Sequence, residues 1–362
     1  MTLYEKRLAQ DLKSIREAVK DIADRVTDAL DHAVKALSEN DKDTLYDVVM
    51  NDLAINRDIR DIDKKCHEFV ARHLPAAGHL RFISSVLRLT IALERAGDYA
   101  VTISRAVLQL SKPMPPVIID TLRSMSELSR RMLIDATQAF LDGDVKLAEH
   151  TRKQDYRVDQ AYDQIFSAII DDQTIREPIE LATMLRVFSK VERFSDQAKN
   201  ICEEAIFVAT GQMKGPKVFR ILFLDERNDL VSKLAAGIAY KMYPNSGFYS
   251  SAGWAPAEEP LPELEKIASR FGIEIKSLQP SLVNVNELMA FPISYHIIVA
   301  INLKNEEMLP EIPYHTILRK WEIPTADVTQ SEELACNAEE LVHELTGLIR
   351  QLIERLRGKY AD

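Results

Sequence analysis

The strongest constraint on the fold is a repeat within the first 215 residues of this 362-residue chain. The stretch Ser85–Asp98 aligns with Thr183–Asp196, because both combine a helical apolar spacing with a terminal Glu-Arg-x-x-Asp sequence. Upstream, Asp52–Asn56 aligns with Asp155–Asp159. The two offsets differ slightly, which turns between helices tolerate. A duplicated unit of three helices is the simplest account of this pattern.

Apolar residues recur every three or four positions through this part, which is typical of helices that bury one face. Asparagine, glycine and proline interrupt the spacing at the predicted turns. The pattern predicts six helices, near residues 3–38, 42–73, 79–110, 117–142, 144–173 and 177–209. The first three helices would form a repeat over residues 1–113, and the last three a repeat over residues 114–213.

The chain changes character after Gly211–Pro216, which joins a helix-terminating glycine to a proline. Residues 216–362 contain ten of the 15 prolines, so turns interrupt this part more often. Strands are predicted near residues 218–224, 248–252, 295–302 and 316–321, and helices near 230–242, 262–272 and 331–357. This alternation indicates a mostly parallel sheet covered by helices. The predicted fold class is multidomain α plus α/β: two tandem three-helix bundles, then a small α/β domain over residues 217–362.

Composition excludes several classes of protein. A hydrophobic fraction of 46% is enough for a buried core, and a net charge of -10 argues against a nucleic-acid partner. The apolar runs are only strand-sized, so no membrane span is expected. Charged residues near the start of the chain stand where a signal peptide would have an apolar stretch, so no signal peptide is expected. The three cysteines, Cys66, Cys202 and Cys336, are widely separated, which suits a reducing cytoplasm rather than a disulfide framework.

Pairs of carboxylates at helical spacing are the main candidate functional groups. Glu94 and Asp98 are four positions apart, so both side chains project from one helix face. Glu192 and Asp196 repeat this arrangement in the second repeat. Like charges at this spacing repel each other, and a bound cation would turn the repulsion into an attraction.

The preceding helix of each repeat contributes another pair of oxygen-bearing side chains. Asp52 is followed by Asn56, and Asp155 by Asp159, at the same spacing of four. Two facing helices with such pairs can offer four or more oxygen ligands, which suits Fe, Mn, Mg or Zn. The candidate metal ligands are Asp52, Asn56, Glu94, Asp98, Asp155, Asp159, Glu192 and Asp196.

The same spacing is also compatible with an ordinary solvated helix face. Acidic pairs arise by chance in a chain with 56 aspartates and glutamates, and Asp159 and Asp163 form a further pair. Arg95 and Arg193 could screen the neighbouring carboxylates without any metal. A purely structural helical protein therefore stays open as an alternative to metal binding.

Several motifs of the helical part resemble the PhoU family. They include Leu93–Asp98 (LERAGD), Val191–Asp196 (VERFSD) and Asn200–Phe207 (NICEEAIF), with the acidic positions in 52–63 and 155–159. The resemblance covers residues from about 4 to 213. It implies two three-helix bundles, each with a Glu-x-x-x-Asp metal motif on its third helix.

The PhoU resemblance also implies a function. A family member would be a negative regulator of phosphate uptake and signalling, acting as a metal-binding adaptor between a phosphate ABC transporter and a sensor histidine kinase. We expect a cytoplasmic homodimer that reaches the inner membrane through its partners. Asn56 and Ser195 depart from the family pattern, since Asp159 and Gly97 occupy the matching positions in the other repeat. These departures bear on the number of metal ions rather than on the fold.

The order of elements in residues 217–357 resembles the fold of low-molecular-weight protein tyrosine phosphatases and arsenate reductases. Motifs such as Val218–Asp225, Ser250–Trp254 and Trp321–Pro324 carry this resemblance. The family uses a cysteine thiolate after the first strand, a loop of N–H groups around the oxyanion, an arginine after the loop and an aspartic acid as proton donor.

Those catalytic residues are missing from this chain. Asp225 stands at the cysteine position and Val231 at the arginine position. Thr325 and Ala326 stand where an Asp-Pro pair is expected, and Asp327 is displaced. We therefore predict that the domain is no enzyme and serves as a binding surface. The alternative is a phosphatase or arsenate reductase with a phosphate-sensing helical domain.

Overall fold

The computed structural model describes residues 2–110, 114–171, 177–212, 217–288, 295–303, 316–324 and 331–358, with single positions at 215, 309, 312 and 361. Side chains 167, 170, 171 and 331–336 are outside this description. The chain divides into two compact units, Met1–Gly215 and Pro216–Asp362.

The first repeat is a bundle of three long helices, α1 (Leu3–Glu39), α2 (Lys42–His73) and α3 (Ala77–Leu108). Thr2 and Glu5 form a capping box at the start of α1, and Asp41 accepts hydrogen bonds from the first turn of α2. Each helix buries one apolar face, as the periodicity predicts. No described helix has an apolar stretch long enough to cross a bilayer.

The second repeat contains one more helix than its sequence pattern predicts. Its helices are α4 (Pro116–Asp142), α5 (Val145–Arg152), α6 (Asp155–Asp171) and α7 (Pro178–Thr210). The single helix predicted over 144–173 is wrong, because a turn at Lys153 and Gln154 separates α5 from α6. The backbone N–H groups of these two residues bond to the carbonyls of His150 and Thr151. No glycine or proline marks the turn, so a search for helix breakers does not find it.

A continuous hydrophobic core joins the two repeats into one helical unit. Helix α3 packs against α7, and α1 packs against α4. Phe82 of α3 stacks on Phe140 of α4, with 5.4 Å between ring centroids. At the edge of this contact, Arg88 of α3 donates to Glu204 of α7 over 2.6 Å. The two repeats therefore stabilise each other through apolar burial with a charged rim.

The second unit is an α/β domain with a four-stranded sheet. The strands are β1 (Phe219–Asp225), β2 (Gly247–Gly253), β3 (Ile297–Ile301) and β4 (Ile317–Trp321), in the order β2-β1-β3-β4. All three strand pairings are parallel. The helices are α8 (Val231–Met242), α9 (Glu263–Phe271), α10 (Val285–Leu288) and α11 (Ser331–Arg357). The predicted fold class is confirmed, with the short α10 as an addition.

Residues of β1 alternate between two apolar layers, as expected for a buried strand. Ile221 and Phe223 belong to the larger layer, which also contains apolar side chains of α8, α9 and α11. Leu222 and Leu224 belong to a smaller layer on the opposite face. The strand ends at Asp225, so this carboxylate lies where β1 leads into the loop before α8.

Candidate functional site

A first acidic cluster lies between α2 and α3. The side-chain amide of Asn56 donates to Asp52 Oδ2 over 2.9 Å. Asp52 Oδ1 and Asn56 Oδ1 are buried, and neither has a hydrogen-bond partner among the described residues. Burial raises the pKa of Asp52, and the charges of Asp98 and Glu94 raise it further. This cluster therefore contains two buried oxygen atoms that lack a donor, in a negative field.

Gly97 of α3 leaves space beside Asp52, which an added Cβ atom would fill at ordinary contact distance. A Cβ atom at this position would lie 3.4 Å from Asp52 Oδ1 and 3.8 Å from Val26 Cγ2. A side chain larger than glycine would thus cover the oxygen of Asp52 that has no donor. Glu94 and Asp98, on the same helix, are exposed. The open side of the cluster consequently faces water and carries two carboxylates.

A second acidic cluster occupies the equivalent place between α6 and α7. Burial raises the pKa of Asp159 to about 7, with the charge of Asp155 as the next cause. Burial likewise raises the pKa of Glu192 to about 7, assisted by the charge of Asp196. These shifts show that the four predicted side chains of the second repeat lie within electrostatic reach of one another.

Lys199 of α7 also belongs to the second cluster, although the spacing of the carboxylates does not predict it. Its ammonium group forms an ion pair with Asp155 Oδ2 and lies 3.8 Å from Asp196 Oδ1. Burial alone would lower the pKa of Lys199, but the hydrogen bond and charge of Asp155 outweigh it and raise the pKa. A lysine three residues after Asp196 lies on the same helix face, so this signal was present in the sequence.

Both carboxylate oxygens of Asp155 have protein partners. Ser195 Oγ donates to Asp155 Oδ1 over 3.1 Å, and Lys199 takes the other oxygen. Asp155 is only 3% exposed, so these partners replace the water that it loses on burial. The turn between α5 and α6 places this residue at the start of α6, facing α7.

The two clusters differ in how well they fit a cation. The first has unpartnered buried oxygens and a glycine that leaves room beside them, which fits an added cation. The second cluster already contains the ammonium group of Lys199, so it does not suit an added cation. Within the ranges that the structure describes, no three His, Cys, Asp or Glu side chains form a ready-made metal centre. The predicted metal ligands thus stay a prediction.

The helical cysteines offer no alternative chemistry. Cys66 and Cys202 are buried free thiols. Burial raises the pKa of each to about 12, far from the range in which a thiolate forms at neutral pH. Both suit packing in the core rather than nucleophilic catalysis. The side chain of Cys336 lies outside the described residues.

In the α/β unit, the loop after β1 folds around the side chain of Asp225. Asp225 Oδ1 accepts a hydrogen bond from the backbone N–H of Asn228 (2.6 Å), and Oδ2 accepts one from the N–H of Ser232 (2.9 Å). Burial raises the pKa of Asp225, while the hydrogen bonds from Ser232 and Asn228 oppose the rise. Backbone N–H groups of the loop and of the first turn of α8, which could face an external anion, here bind the protein's own carboxylate.

Neighbouring contacts hold this loop in place. Asn228 is fully buried with φ of 49°. Its side-chain Nδ2 donates to Ser232 Oγ, and its side-chain Oδ1 accepts from the N–H of Ser281. Arg227 Nε donates to Asp229 Oδ2 over 2.6 Å, so its charge is already engaged. A Cβ atom on Gly253 would approach the carbonyl oxygen of Glu226 to 2.8 Å. The predicted acid position, residues 325–327, lies outside the described part of the chain.

The fold and the paired acidic helices define the first unit as a tandem of two helical bundles, of three and four helices, with a charged cluster in each. Residues 19–107 and 122–205 match the family model of the PhoU domain. The helical part of the chain therefore contains two segments of the PhoU domain and is similar to PhoU proteins.

Characterised relatives match the same region. The phosphate-specific transport system accessory protein PhoU homolog of Synechocystis sp. is 28% identical over 204 residues, which cover 56% of this chain and 91% of the relative. The PhoU protein of Escherichia coli is 29% identical over 207 residues, covering 56% and 85%. The crystal structure of PhoU from Streptococcus pneumoniae has a TM-score of 0.54 and 28% identity, covering 57% of this chain and 99% of the other.

The α/β part is similar to further solved structures. A low-molecular-weight protein tyrosine phosphatase from T. tengcongensis has a TM-score of 0.32 and 21% identity, covering 38% of this chain and 99% of its own. An arsenate reductase from Archaeoglobus fulgidus has a TM-score of 0.28 and 19% identity, covering 37% and 98%.

Proposed function

We propose that this protein is a regulatory accessory protein of phosphate-specific transport, a negative regulator that links a phosphate ABC transporter to a sensor histidine kinase. The observation that carries the proposal is the match of the helical unit to PhoU proteins over most of their length. The curated relatives are named as accessory proteins of phosphate-specific transport. The proposed adaptor acts as a homodimer in the cytoplasm and reaches the inner membrane through its partners.

The adaptor would bind a cation in the first acidic cluster. Asp52 and Asn56 would supply the buried oxygens, and Glu94 and Asp98 the carboxylates on the facing helix. An all-oxygen set of this kind suits Fe, Mn or Mg, and tolerates Zn. The cation would neutralise the charges that raise the pKa of Asp52 and would fasten α2 to α3. A partner protein that binds this part of the bundle would then bind differently with and without the ion.

Metal analysis of the full chain, purified without chelators, tests this cation site. The variant Glu94→Gln/Asp98→Asn removes two charges at exposed positions, so the fold should persist. We expect metal in the wild-type protein and its loss in this variant. Circular dichroism would verify that both proteins are folded. Equal metal content in two folded proteins would remove the proposed ligands.

The α/β unit would act as a binding surface and not as a phosphatase. The group at the end of β1 is a carboxylate, Asp225, and two backbone N–H groups, one in the loop and one in the first turn of α8, already bind it. Val231 offers no guanidinium for a phosphate. An aspartyl route would require Asp225 to leave both hydrogen bonds and attack the substrate from a buried position.

Capture of partners tests the proposed regulatory role. The tagged full chain should co-purify with a phosphate-transporter ATPase or a sensor kinase from cells grown in ample phosphate. The matched control is the Glu94→Gln/Asp98→Asn variant at the same expression level, which should retain less partner. Absence of both partners from the wild-type eluate would contradict the adaptor role, whatever the metal content.

A further inference from the structure

The two acidic clusters are built on equivalent helix positions, but they differ in two side chains. When α7 is aligned on α3 through their Glu-x-x-x-Asp motifs, Ser195 matches Gly97 and Lys199 matches Val101. A hydroxyl and an ammonium group in the second repeat thus replace a hydrogen atom and an isopropyl group in the first. The second repeat has gained two hydrogen-bond donors at the places where the first has none.

Those two donors are bonded to the same buried carboxylate. Ser195 Oγ donates to one oxygen of Asp155, and Lys199 Nζ is paired with the other. Lys199 also lies 3.8 Å from Asp196 Oδ1, so its charge is shared between α6 and α7. An ammonium group so placed does what a metal ion would do, since it neutralises carboxylates from two helices at once.

The first cluster has no equivalent cation among its own residues. Val101 is only 7% exposed and contributes no charge. Asp52 Oδ1 and Asn56 Oδ1 are buried without a hydrogen-bond partner in the described ranges. The charge of Arg105 lowers the pKa of Asp52, but burial and the charge of Asp98 outweigh it.

We propose that Lys199 is the resident cation of the second cluster, so that the second repeat takes no metal ion while this lysine is present and the chain binds a single ion, in the first cluster. This inference extends the proposed function, because it assigns the cation to one repeat. A metal ion entering the second cluster would have to displace Lys199 and break its ion pair with Asp155. The carboxylates of the duplicated motif are therefore neutralised by a metal ion in the first repeat and by the Lys199 side chain in the second.

Manganese stoichiometry measures this difference directly. The full chain is stripped with chelator, dialysed against Mn²⁺ and analysed for metal per chain by mass spectrometry. We expect one ion in the wild type and two in Lys199→Met, which keeps the length of the side chain and removes its charge. Lys199→Arg, which keeps the charge, and Lys146→Met, at an exposed lysine of α5, should both stay at one.

Variants that remove the carboxylates of one cluster show which cluster holds each ion. Glu94→Gln/Asp98→Asn should reduce the wild type from one ion to none and Lys199→Met from two ions to one. Glu192→Gln/Asp196→Asn should leave the wild type unchanged. Loss of metal in this last variant would overturn the inference, and so would a folded Lys199→Met that binds no more metal than a wild type with one ion.

The reciprocal substitution keeps the inference testable if Lys199→Met does not fold. Val101→Lys introduces an ammonium group at the matching position of the first cluster. We expect its metal content to fall from one to none, with an unchanged helical circular dichroism spectrum. A folded Val101→Lys protein that retains its full metal content would contradict the equivalence of the two positions.

Metal content also distinguishes failure of the proposed cation site in the first cluster from failure of the inference about Lys199. A wild-type protein without Mn²⁺ and a Lys199→Met variant with one ion would refute the first cation site and support the role of Lys199. Both proteins without Mn²⁺ would refute both. The increase of melting temperature with Mn²⁺ concentration gives a second readout, expected to be larger in Lys199→Met than in the wild type.

Discussion

Asp52, which is half-buried, and Asp155, which is buried, occupy equivalent positions, yet their carboxylates have different numbers of hydrogen-bond donors. Asp155 has a donor for each oxygen, whereas Asp52 receives one hydrogen bond, from Asn56. A buried oxygen without a partner destabilises the folded state, because it gives up its bond to water. Gly97 determines this difference, since a serine fills its place in the other repeat.

The first prediction follows from this comparison. Gly97→Ser should raise the free energy of unfolding of the metal-free protein by about 1 kcal/mol. The new hydroxyl can donate to Asp52 Oδ1, and serine favours a helix more than glycine does. Urea denaturation in chelator measures the change. Gly97→Ala separates the two contributions, because it gains helix propensity without a donor. A decrease in stability for the serine variant would show that the equivalence with Ser195 fails.

Asp225 is the residue on which the loop of the α/β unit depends. Asp225→Ala should lower the free energy of unfolding of this unit by about 2 to 3 kcal/mol, because two backbone N–H groups lose a charged acceptor in a buried place. Chemical denaturation followed by the fluorescence of Trp254 and Trp321 reports on this unit. Asp229→Ala is the control, since it removes a carboxylate that pairs with the exposed Arg227 side chain and leaves both hydrogen bonds of Asp225 in place, and it should change stability less. Equal effects would mean that the loop does not depend on Asp225.

At the scale of residues, the sequence predicts the positions of the carboxylates better than their partners. Spacing alone assigns Glu192 and Asp196 to one helix face, because helix geometry is fixed. The search for metal ligands considered oxygen donors, so it left out Lys199, the group that competes with a metal. The role of Asp225 required coordinates, since its partners come from the backbone and backbone N–H groups carry no sequence signal.

At the scale of helices, burial of the second cluster makes the pairing of α6 with α7 depend on pH. The pKa values of Asp159 and Glu192 are raised to about 7, above their values in an unfolded chain. The folded state therefore holds protons that the unfolded state has released. This contribution to stability is complete below about pH 4 and is lost as the pH rises through 7.

We predict that the helical unit of the chelated protein becomes less stable between pH 5 and pH 8. Both side chains are partly exposed, so solvent screening reduces the loss to on the order of 1 kcal/mol for each group. The variant Glu192→Gln should show a weaker pH dependence than the wild type, which guanidinium denaturation at the two pH values would measure. A wild type that gains stability over this range relative to the variant would contradict the sign.

Elements were predictable wherever one periodicity governed a whole segment. The long helices and the four strands lie close to their predicted positions because their apolar spacing is regular. The turn at Lys153 and Gln154 was missed because its cause is tertiary. It starts α6 at Asp155, whose bonds to α7 compensate for the interrupted helix. Helix α10 was missed because four residues are too short for a periodic pattern.

At the scale of the whole molecule, the proline distribution predicted a helical part and an α/β part, since proline is excluded from helix interiors and tolerated between short elements. Each of the two units has its own hydrophobic core. Whether the second part catalyses a reaction depends on a few positions, not on the fold. Its function must be argued from Asp225, Val231 and their contacts.

The decisive prediction for the whole chain concerns hydrolysis of a phosphate ester. We expect the full protein to hydrolyse para-nitrophenyl phosphate, with thiol present, no faster than its Asp225→Asn variant. The carboxylate is buried and held by the N–H groups of Asn228 and Ser232, so it cannot reach a phosphorus atom without losing both bonds. Asparagine keeps the size of the side chain and removes the nucleophile. Turnover by the wild type that disappears in Asp225→Asn would make the protein an aspartyl phosphatase, and the α/β unit would then be catalytic.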